Sequence, residues 1–334
     1  MQIQHNVSLK PYNSFGIDVL AKSFASFSNF HQLEELLQPS TLILGGGSNI
    51  LFTKNFDGLV LKNELKGIAL LKEDEEYYYV KAAAGETWQD LVLYCINNNY
   101  AGLENLSLIP GNVGASPMQN IGAYGVELKD VFYSLEAYHV HDKVIKIFTI
   151  NDCEFGYRES VFKRKYKNQF VLLNVTFKLP KKIIYNTSYG AIQLELEKMN
   201  VQNISIQAIS QAVINIRSSK LPNPKEIGNA GSFFKNPTIT TTVFETLQKE
   251  FPLIPHYPSA DKKETVKLAA GWLIEQCGWK GFRSNDAGCH AKQALVLVNY
   301  GNATGKEIFD LSEQIIASVK TKFNIALERE VNII

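Results

Sequence analysis

Three polar side chains stand in contexts that could do chemistry. Arg158 lies between Tyr157 and Glu159 in "EFGYRESVFK", Ser232 follows Ala230 and Gly231 in "GNAGSFFKNP", and Glu330 ends the triplet "ERE" of "LEREV". An arginine is the usual partner of a substrate carboxylate, because its planar fork engages two oxygens at once. A serine after small residues has room for its hydroxyl, yet this is not the G-x-S-x-G elbow of a hydrolase, and no histidine is adjacent. Glu328 and Glu330 are two residues apart, so on a strand both point to one face. Each also has a purely structural reading: a surface arginine, a capping serine, and a salt-bridged rim with Arg329 on the opposite face. By themselves the three name no reaction.

Two glycine-rich stretches suggest a bound anion or polar ring system. Residues 41–52, "TLILGGGSNILF", form an apolar run, three glycines, Ser48 and Asn49, then apolar residues again. Backbone N–H groups approach a phosphate closely only where side chains are absent. The dinucleotide fingerprint G-x-G-x-x-G is not met: Gly45 and Gly47 are followed at position 50 by isoleucine, and the chain leaves the turn as an extended segment. The second stretch, "IPGNVGASPMQNIGAYG" (109–125), carries Gly111, Gly114, Gly122 and Gly125 with Ser116, Gln119 and Asn120. No carboxylate falls between Glu104 and Glu127, which suits a nearby anion. Two such loops favour a dinucleotide more than either alone, although glycine turns also stitch β-rich domains together.

The elements that must hold these residues follow from periodicity. "FDGLVLKN", "EEYYYVKAAAG", "YSLEAYHVHDKVIKIFTI" and "NQFVLLNVTFKLP" read as strands, interrupted by helices over "NFHQLEELL" and "ETWQDLVLYCINNN". In the latter, Trp88, Leu91, Val92 and Cys95 share one face. From about residue 180 a polar crossing, "KLPKKIIYNTSYGAI", leads into helices over "ISQAVINIRSSK", "TTVFETLQKEF" and "TVKLAAGWLIEQCG". "EIFDLSEQIIASVKTKF" places Ile308, Leu311, Ile315, Val319 and Phe323 on one stripe, and "IALEREVNII" reads as a closing strand. The class is α+β.

With 334 residues, 45% hydrophobic and 20% charged, the chain can bury a large core in two or three domains. A net charge of +1 gives no global pull toward nucleic acid or membrane surfaces. No apolar run is long enough to span a bilayer, and the N-terminus lacks a secretory pattern, so the cytoplasm is the expected compartment. Cysteines 95, 153, 277 and 289 show no C-x-x-C pair, and Cys289–His290 lacks two further ligands at metal spacing, so no metal is expected. His139 and His141 share a strand face, which reads as a solvated hairpin more readily than as a ligand pair.

Taken together, "LKPYNSFGID", "LGGGSNILF", "LIPGNVGASPMQNIGAYG", "FGYRESVFK", "SSKLPNPK", "GNAGSFFKNP", "VKLAAGWLIEQCG" and "LEREV" resemble, in order and nearly end to end, the UDP-N-acetylenolpyruvoylglucosamine reductases. The resemblance implies a vanillyl-alcohol-oxidase-type (PCMH-type) FAD-binding domain plus an α+β C-terminal substrate-binding domain. The FAD region would span 1–185 as two α+β subdomains split near 65. A crossing segment with a tyrosine loop would follow at 186–204, and the substrate domain at 205–334. It implies NADPH-dependent reduction of UDP-N-acetylglucosamine enolpyruvate to UDP-N-acetylmuramate, in bacterial peptidoglycan synthesis, by a cytoplasmic monomer. Neither nucleic acid nor membrane is expected as a partner. Gly45, Gly46, Gly47, Ser48 and Asn49 would hold the FAD pyrophosphate, with Gly111, Gly114, Ser116, Gly122 and Tyr124 holding other parts. Cys95 is the one candidate for covalent attachment between residues 42 and 138 and lies on a predicted helix, so FAD is expected to be non-covalent.

The same resemblance gives Arg158 and Glu330 (protonated) the task of stabilising an enolate, and Ser232 that of protonating it. Tyr189 would belong to the loop that covers substrate in the type I form. Lys220, Asn236, Tyr257, Lys267 and Gln293 would contact the UDP-sugar or the NADPH phosphates. The chain departs from the family in two places. Arg329 stands where relatives often have proline, leaving Glu328 as the runner-up to Glu330. The sequence also ends four residues after Glu330, which predicts looser terminal packing. A flavin oxidase using oxygen, or a binding protein without chemistry, would leave Ser232 and Glu330 without a role.

Overall fold

The computed structural model describes residues 2–258 and 264–334. The chain forms two compact units that interleave in sequence: residues 1–6, 22–46 and 58–219 make the first, and residues 7–21, 47–57 and 220–334 the second.

The first unit contains, besides the short hairpin of Gly122–Ala123 with Val126–Glu127, two large sheets. One has the strand order Gln4–Ser8, Leu20–Phe27, Phe56–Asn63, Leu42–Leu44, with Leu42–Leu44 parallel to residues 60–62. The other is antiparallel, in the order Val144–Thr149, Phe132–His139, Phe170–Pro180, Tyr77–Ala83, Ile68–Glu73. Its helices are α1 (Phe30–Leu36), α2 (Trp88–Asn97), the single turn α3 (Ile150–Cys153), α4 (Gly190–Lys198) and α5 (Ile206–Lys220). Thr87 caps α2 by accepting the Asp90 N–H, and the expected face is buried: Trp88, Leu91, Val92 and Cys95 are all at most 1% exposed. Trp88 reaches the Leu106 carbonyl with its indole N–H at 2.8 Å, which satisfies the one polar atom of that buried ring. Helices α4 and α5 share a small core of Ile192, Leu196, Ile209, Val213 and Ile216.

The second unit is built on α6 (Thr241–Glu250), α7 (Ala270–Gln276) and the 19-residue α8 (Gly305–Phe323). A capping box of Thr304 and Glu307 starts α8, and its expected stripe, Ile308, Leu311, Ile315, Val319 and Phe323, is buried. Each such side chain contributes roughly 1.5–3 kcal/mol on burial. Beside these helices lie a four-stranded sheet (Gly228–Asn229, Leu297–Asn299, Ala287–Cys289, Arg283–Ser284) and a three-stranded one (Thr238–Thr240, Thr265–Leu268, His256–Pro258).

Four expectations change. "TVKLAAGWLIEQCG" is not one helix, because Thr265–Leu268 pairs on both sides with Thr238–Thr240 and His256–Pro258 and only Ala270–Gln276 is helical. The closing strand is broken: Arg329 makes an isolated bridge to Phe234, and only Asn332–Ile333 continues, parallel to Ile50–Leu51. The terminus is paired rather than loose, since the Thr53 N–H donates to the Ile334 carbonyl at 2.7 Å and the Ile334 N–H to Leu51 at 3.0 Å. His141 lies in the turn beyond Phe132–His139 and not on the strand, although its ring still meets that of His139 edge to face at 6.1 Å, and His139 Nδ1 lies 2.9 Å from the Asp142 carboxylate.

Candidate active site

The first glycine loop leaves buried Leu44 at the end of the short parallel strand Leu42–Leu44. A Cβ on Gly46 would lie 2.6 Å from Asn112 Oδ1 and 3.0 Å from Gly111 Cα, so the two glycine-rich stretches approach too closely for any side chain there. Asn112 is fixed by its donation to the Gly85 carbonyl at 2.8 Å, and Gly111 by the Trp88 N–H at 2.9 Å. Gly47 has φ +61°, and its Cβ would sit 2.0 Å from the Tyr12 carbonyl oxygen, so position and conformation both demand glycine. The N–H groups of Gly46, Gly47 and Ser48 meet no protein acceptor among the described residues, the condition under which a turn binds an anion. Asn49 donates from Nδ2 to the Glu330 carbonyl at 3.2 Å and accepts at its own carbonyl from Asn332, which ties the loop to the terminal segment.

Along the second stretch, a Cβ on Gly114 would lie 2.6 Å from that of Ala84. Ser116 is buried, and its hydroxyl donates to the Val113 carbonyl at 2.7 Å, which fixes the turn and leaves the oxygen as an acceptor. Gly122 gives its carbonyl to Arg158 Nη2 at 2.6 Å, and a Cβ there would lie 3.1 Å from Nη1. Arg158 itself has φ +55° in a tight Gly156–Glu159 turn, with its guanidinium 5.3 Å from the Tyr157 ring centroid. Tyr124 (φ +49°) meets Tyr189 edge to face at 5.4 Å. Burial raises the Tyr124 hydroxyl above its ordinary value, with Arg217 opposing and Tyr189 adding to the rise. Buried Asn105 holds this corner by donating to the carbonyls of Tyr124 (3.1 Å) and Asn186 (2.9 Å). Asn186 in turn donates to Gly125, so the segment carrying Tyr189 is tethered while Tyr189 stays 43% exposed.

Arg217 of α5 was not singled out from sequence. Its Nε donates to the Leu108 carbonyl at 3.2 Å. Burial lowers its pKa, Tyr124 counters, and the charge of Arg158 lowers it further, so two guanidinium groups feel each other beside Tyr124. The available signal was spacing: Arg217 precedes Lys220 by one helical step on the same face.

In the second unit, Asn229 builds the approach to Ser232. Its side chain donates to Ile227 (2.8 Å) and Pro222 (3.2 Å) and accepts from Gly231, which turns at φ +68°. Phe233 and Phe234 are fully buried, and Phe233 packs on Phe15 at 6.1 Å. The Glu330 N–H donates to the Phe233 carbonyl and the Lys235 N–H to the Glu328 carbonyl, both at 2.8 Å. This pairing brings the backbone of Ser232 to within one residue of the partner of Glu330. Glu328 is 69% exposed and bound to buried Lys235 at 2.6 Å.

The remaining candidates fall in two groups. Tyr257 and Lys267 are direct cross-strand partners, with Lys267 also opposite Thr238. Asn236 accepts the Ala270 N–H at 3.0 Å, and Gln293 crowds Gly271, whose Cβ would lie 2.8 Å from its Oε1, so both gather at the start of α7. Lys220 is exposed at the end of α5. Cys95 is fully buried with its thiol pushed up by desolvation. Among the described residues no group of three or more His, Cys, Asp and Glu could hold a metal ion, and no helix is long and apolar enough to cross a membrane.

Residues 37–147 match the family described as FAD binding domain, and residues 223–334 match UDP-N-acetylenolpyruvoylglucosamine reductase, C-terminal domain. The chain is 51% identical over 339 aligned positions to the UDP-N-acetylenolpyruvoylglucosamine reductase of Flavobacterium johnsoniae, covering 100% of both proteins. It is 49% identical to that of Amoebophilus asiaticus, again covering all of both. It is 46% identical to that of Pseudomonas putida, over 100% of this chain and 99% of the relative. The crystal structure of UDP-N-acetylenolpyruvylglucosamine reductase (MurB) from Thermus caldophilus shares the fold, with TM-score 0.71 at 23% identity over 100% of this chain and 99% of that one. With a glycine-loop FAD-binding domain followed by the reductase C-terminal domain, the chain belongs to the UDP-N-acetylenolpyruvoylglucosamine reductase family of oxidoreductases.

Proposed function

We propose that this chain reduces UDP-N-acetylglucosamine enolpyruvate to UDP-N-acetylmuramate with NADPH, as a cytoplasmic monomer supplying a peptidoglycan precursor. The observation that carries the reading is the backbone pairing of residues 233–235 with 328–330, which joins the Ser232 segment to the Glu330 segment in a chain of this family. FAD, when bound, supplies a two-electron carrier between the nicotinamide and the vinyl group. The close approach of Gly46 to Gly111 and the unengaged N–H groups of residues 46–48 fit the pyrophosphate of such a cofactor. Gly45 and Asn49 complete that loop, and Gly114, Ser116, Gly122 and Tyr124 line the second. The depth of Cys95 supports non-covalent binding.

Reduction adds one hydride and one proton across the vinyl double bond. Hydride on the methylene carbon leaves negative charge on the neighbouring carbon and its carboxylate. Arg158, held at Nη2 by the Gly122 carbonyl, answers that carboxylate, and Arg217 adds positive charge beside it. Glu330, protonated, donates a hydrogen bond to the developing charge, where one well-placed donor is worth roughly 3–4 kcal/mol. Ser232 delivers the proton to carbon. Glu328 is committed to Lys235, which supports Glu330 as the acting carboxyl. Lys220 and Lys267 face pyrophosphate charge, Tyr257, Asn236 and Gln293 orient the nucleotide sugar, and Tyr189 covers it.

The test is a visible spectrum of the purified protein, taken anaerobically. Bleaching of a flavin band by NADPH, followed by its return with the enolpyruvyl sugar, supports both halves of the reaction. Return only with oxygen favours an oxidase, and absence of a flavin band after reconstitution with FAD removes the reading of the glycine loops.

A further inference from the structure

Glu330 sits on a stretch with little regular structure of its own, so something must fix it. The backbone supplies the N–H to Phe233 at 2.8 Å and the Asn49 side-chain donation to its carbonyl at 3.2 Å. The side chain of the preceding residue supplies more. Arg329 donates from Nε to Ser312 Oγ at 2.8 Å, pairs through Nη2 with the Glu313 carboxylate, and lies 4.6 Å over the Phe309 ring. Phe309, Ser312 and Glu313 are spaced i, i+3 and i+4 on α8, so one patch of that helix offers a ring face, a hydroxyl oxygen and a carboxylate to a single guanidinium. Ser312 is fully buried and its own hydrogen goes to the Phe309 carbonyl at 2.6 Å, which leaves its oxygen oriented as an acceptor. Arg329 is 20% exposed, so these contacts are partly shielded from water.

The main chain at 329 does not make this anchor. The bonds flank it: Glu330 to Phe233 on one side and Lys235 to Glu328 on the other, so Phe234 and Arg329 face each other as the pair without mutual hydrogen bonds.

We propose that Arg329 is a positioning residue, a side-chain staple to α8 that holds Glu330 at the reacting carboxylate. The inference rests on the role of Glu330 proposed above. Arg329→Ala should slow oxidation of the NADPH-reduced enzyme by the enolpyruvyl sugar about tenfold to a hundredfold, the range a misplacement near 1 Å produces. It should leave the rate of flavin reduction by NADPH unchanged and speed hydrogen exchange at the Glu330 amide. Arg329→Pro should restore the rate to within about threefold, because proline stiffens the backbone at a position whose N–H the ladder does not use. Should Arg329→Ala fail to fold, the pair Ser312→Ala and Glu313→Gln removes the hydroxyl and the carboxylate from the receptor, keeping the Phe309 ring and Arg329 in place, with the same direction expected. A normal second half-reaction in Arg329→Ala, or no recovery with proline, overturns the inference. Glu330→Gln serves as the control: if it slows the second half-reaction while Arg329→Ala does not, the staple alone fails. If Glu330→Gln is itself without effect, the assignment of Glu330 fails first and takes the staple with it.

Discussion

Replacing Gly47 by alanine tests how tightly the proposed cofactor loop is built, and Gly16 provides its internal control. Both residues belong to the second unit and have nearly the same backbone, φ +61° and +64°. A Cβ on Gly16 meets nothing within 4 Å, whereas on Gly47 it would lie 2.0 Å from the Tyr12 carbonyl oxygen. Gly16→Ala therefore measures the left-handed conformation alone, roughly 1–2 kcal/mol. Gly47→Ala adds a retreat of about 1 Å from rigid backbone, an overpacking cost of about 1–3 kcal/mol. That retreat also stretches the bond from the Ser14 N–H to the Gly47 carbonyl, now 3.0 Å, worth about 1 kcal/mol. The totals are roughly 1–2 against 3–6 kcal/mol, and at about 2–4 °C per kcal/mol they become melting shifts of about 2–8 and 6–24 °C. Scanning calorimetry of the FAD-free protein gives the two shifts, and flavin fluorescence gives the accompanying loss of FAD retention for Gly47→Ala. Equal shifts for the two variants would refute the packing of Gly47 against Tyr12.

Ser232→Ala should retain flavin reduction by NADPH and lose about 10²–10⁴-fold in the second half-reaction, read by anaerobic stopped-flow absorbance. Glu330→Gln should slow that same step, whereas Glu328→Gln should leave it near normal and cost stability instead, because the ion pair with buried Lys235 would be lost; paired kinetics and urea melts separate the two. Burial raises the Glu104 carboxyl above 4.5, against lesser stabilisation of its anion by its own backbone N–H and those of Gly102 and Leu103. Since the folded state then holds the proton more tightly than the unfolded one, its contribution to stability falls as pH rises above 4.5. Glu104→Gln should remove that fall, so the stability of the variant relative to the parent should rise as the pH rises above 4.5 in urea melts; a constant difference would contradict it.

Much of the architecture was legible because it is local. The α2 face and the α8 stripe repeat at helical spacing, and the buried Trp88 and Phe323 lie where that spacing puts them. The glycine stretches announced a close approach, although the partner of Gly46 could not be read, since Gly111 lies 65 residues further along. Thr265–Leu268 was misread because "VKLAAGWL" continues a helical pattern and only pairing with two distant strands overrides it. The interleaving of the units was hidden for the same reason: nothing local in "NSFGID" says that Ser14 will bond both Gly47 and Asn229. Arg217 was missed because an arginine on a polar helix end is ordinary until its neighbours Arg158 and Tyr124 are known. Arg329 was visible as a departure, but its receptor on α8 was not.

The pairing of Asn332–Ile333 with Ile50–Leu51 also sets an order of events during synthesis. The bond between Asn49 and Glu330 spans 281 positions, and the longest segment of the first unit, 58–219, is translated between them. A growing chain thus exposes residues 47–57 early and must leave their strand edge open until residues 330–334 emerge, a wait at ribosomal speed that far exceeds the microseconds of local pairing. The first unit can collapse meanwhile around Trp88 and its neighbours. The turn proposed to grip the cofactor therefore reaches its final form only once residues 330–333 have been made, so flavin capture belongs after that segment and not before it.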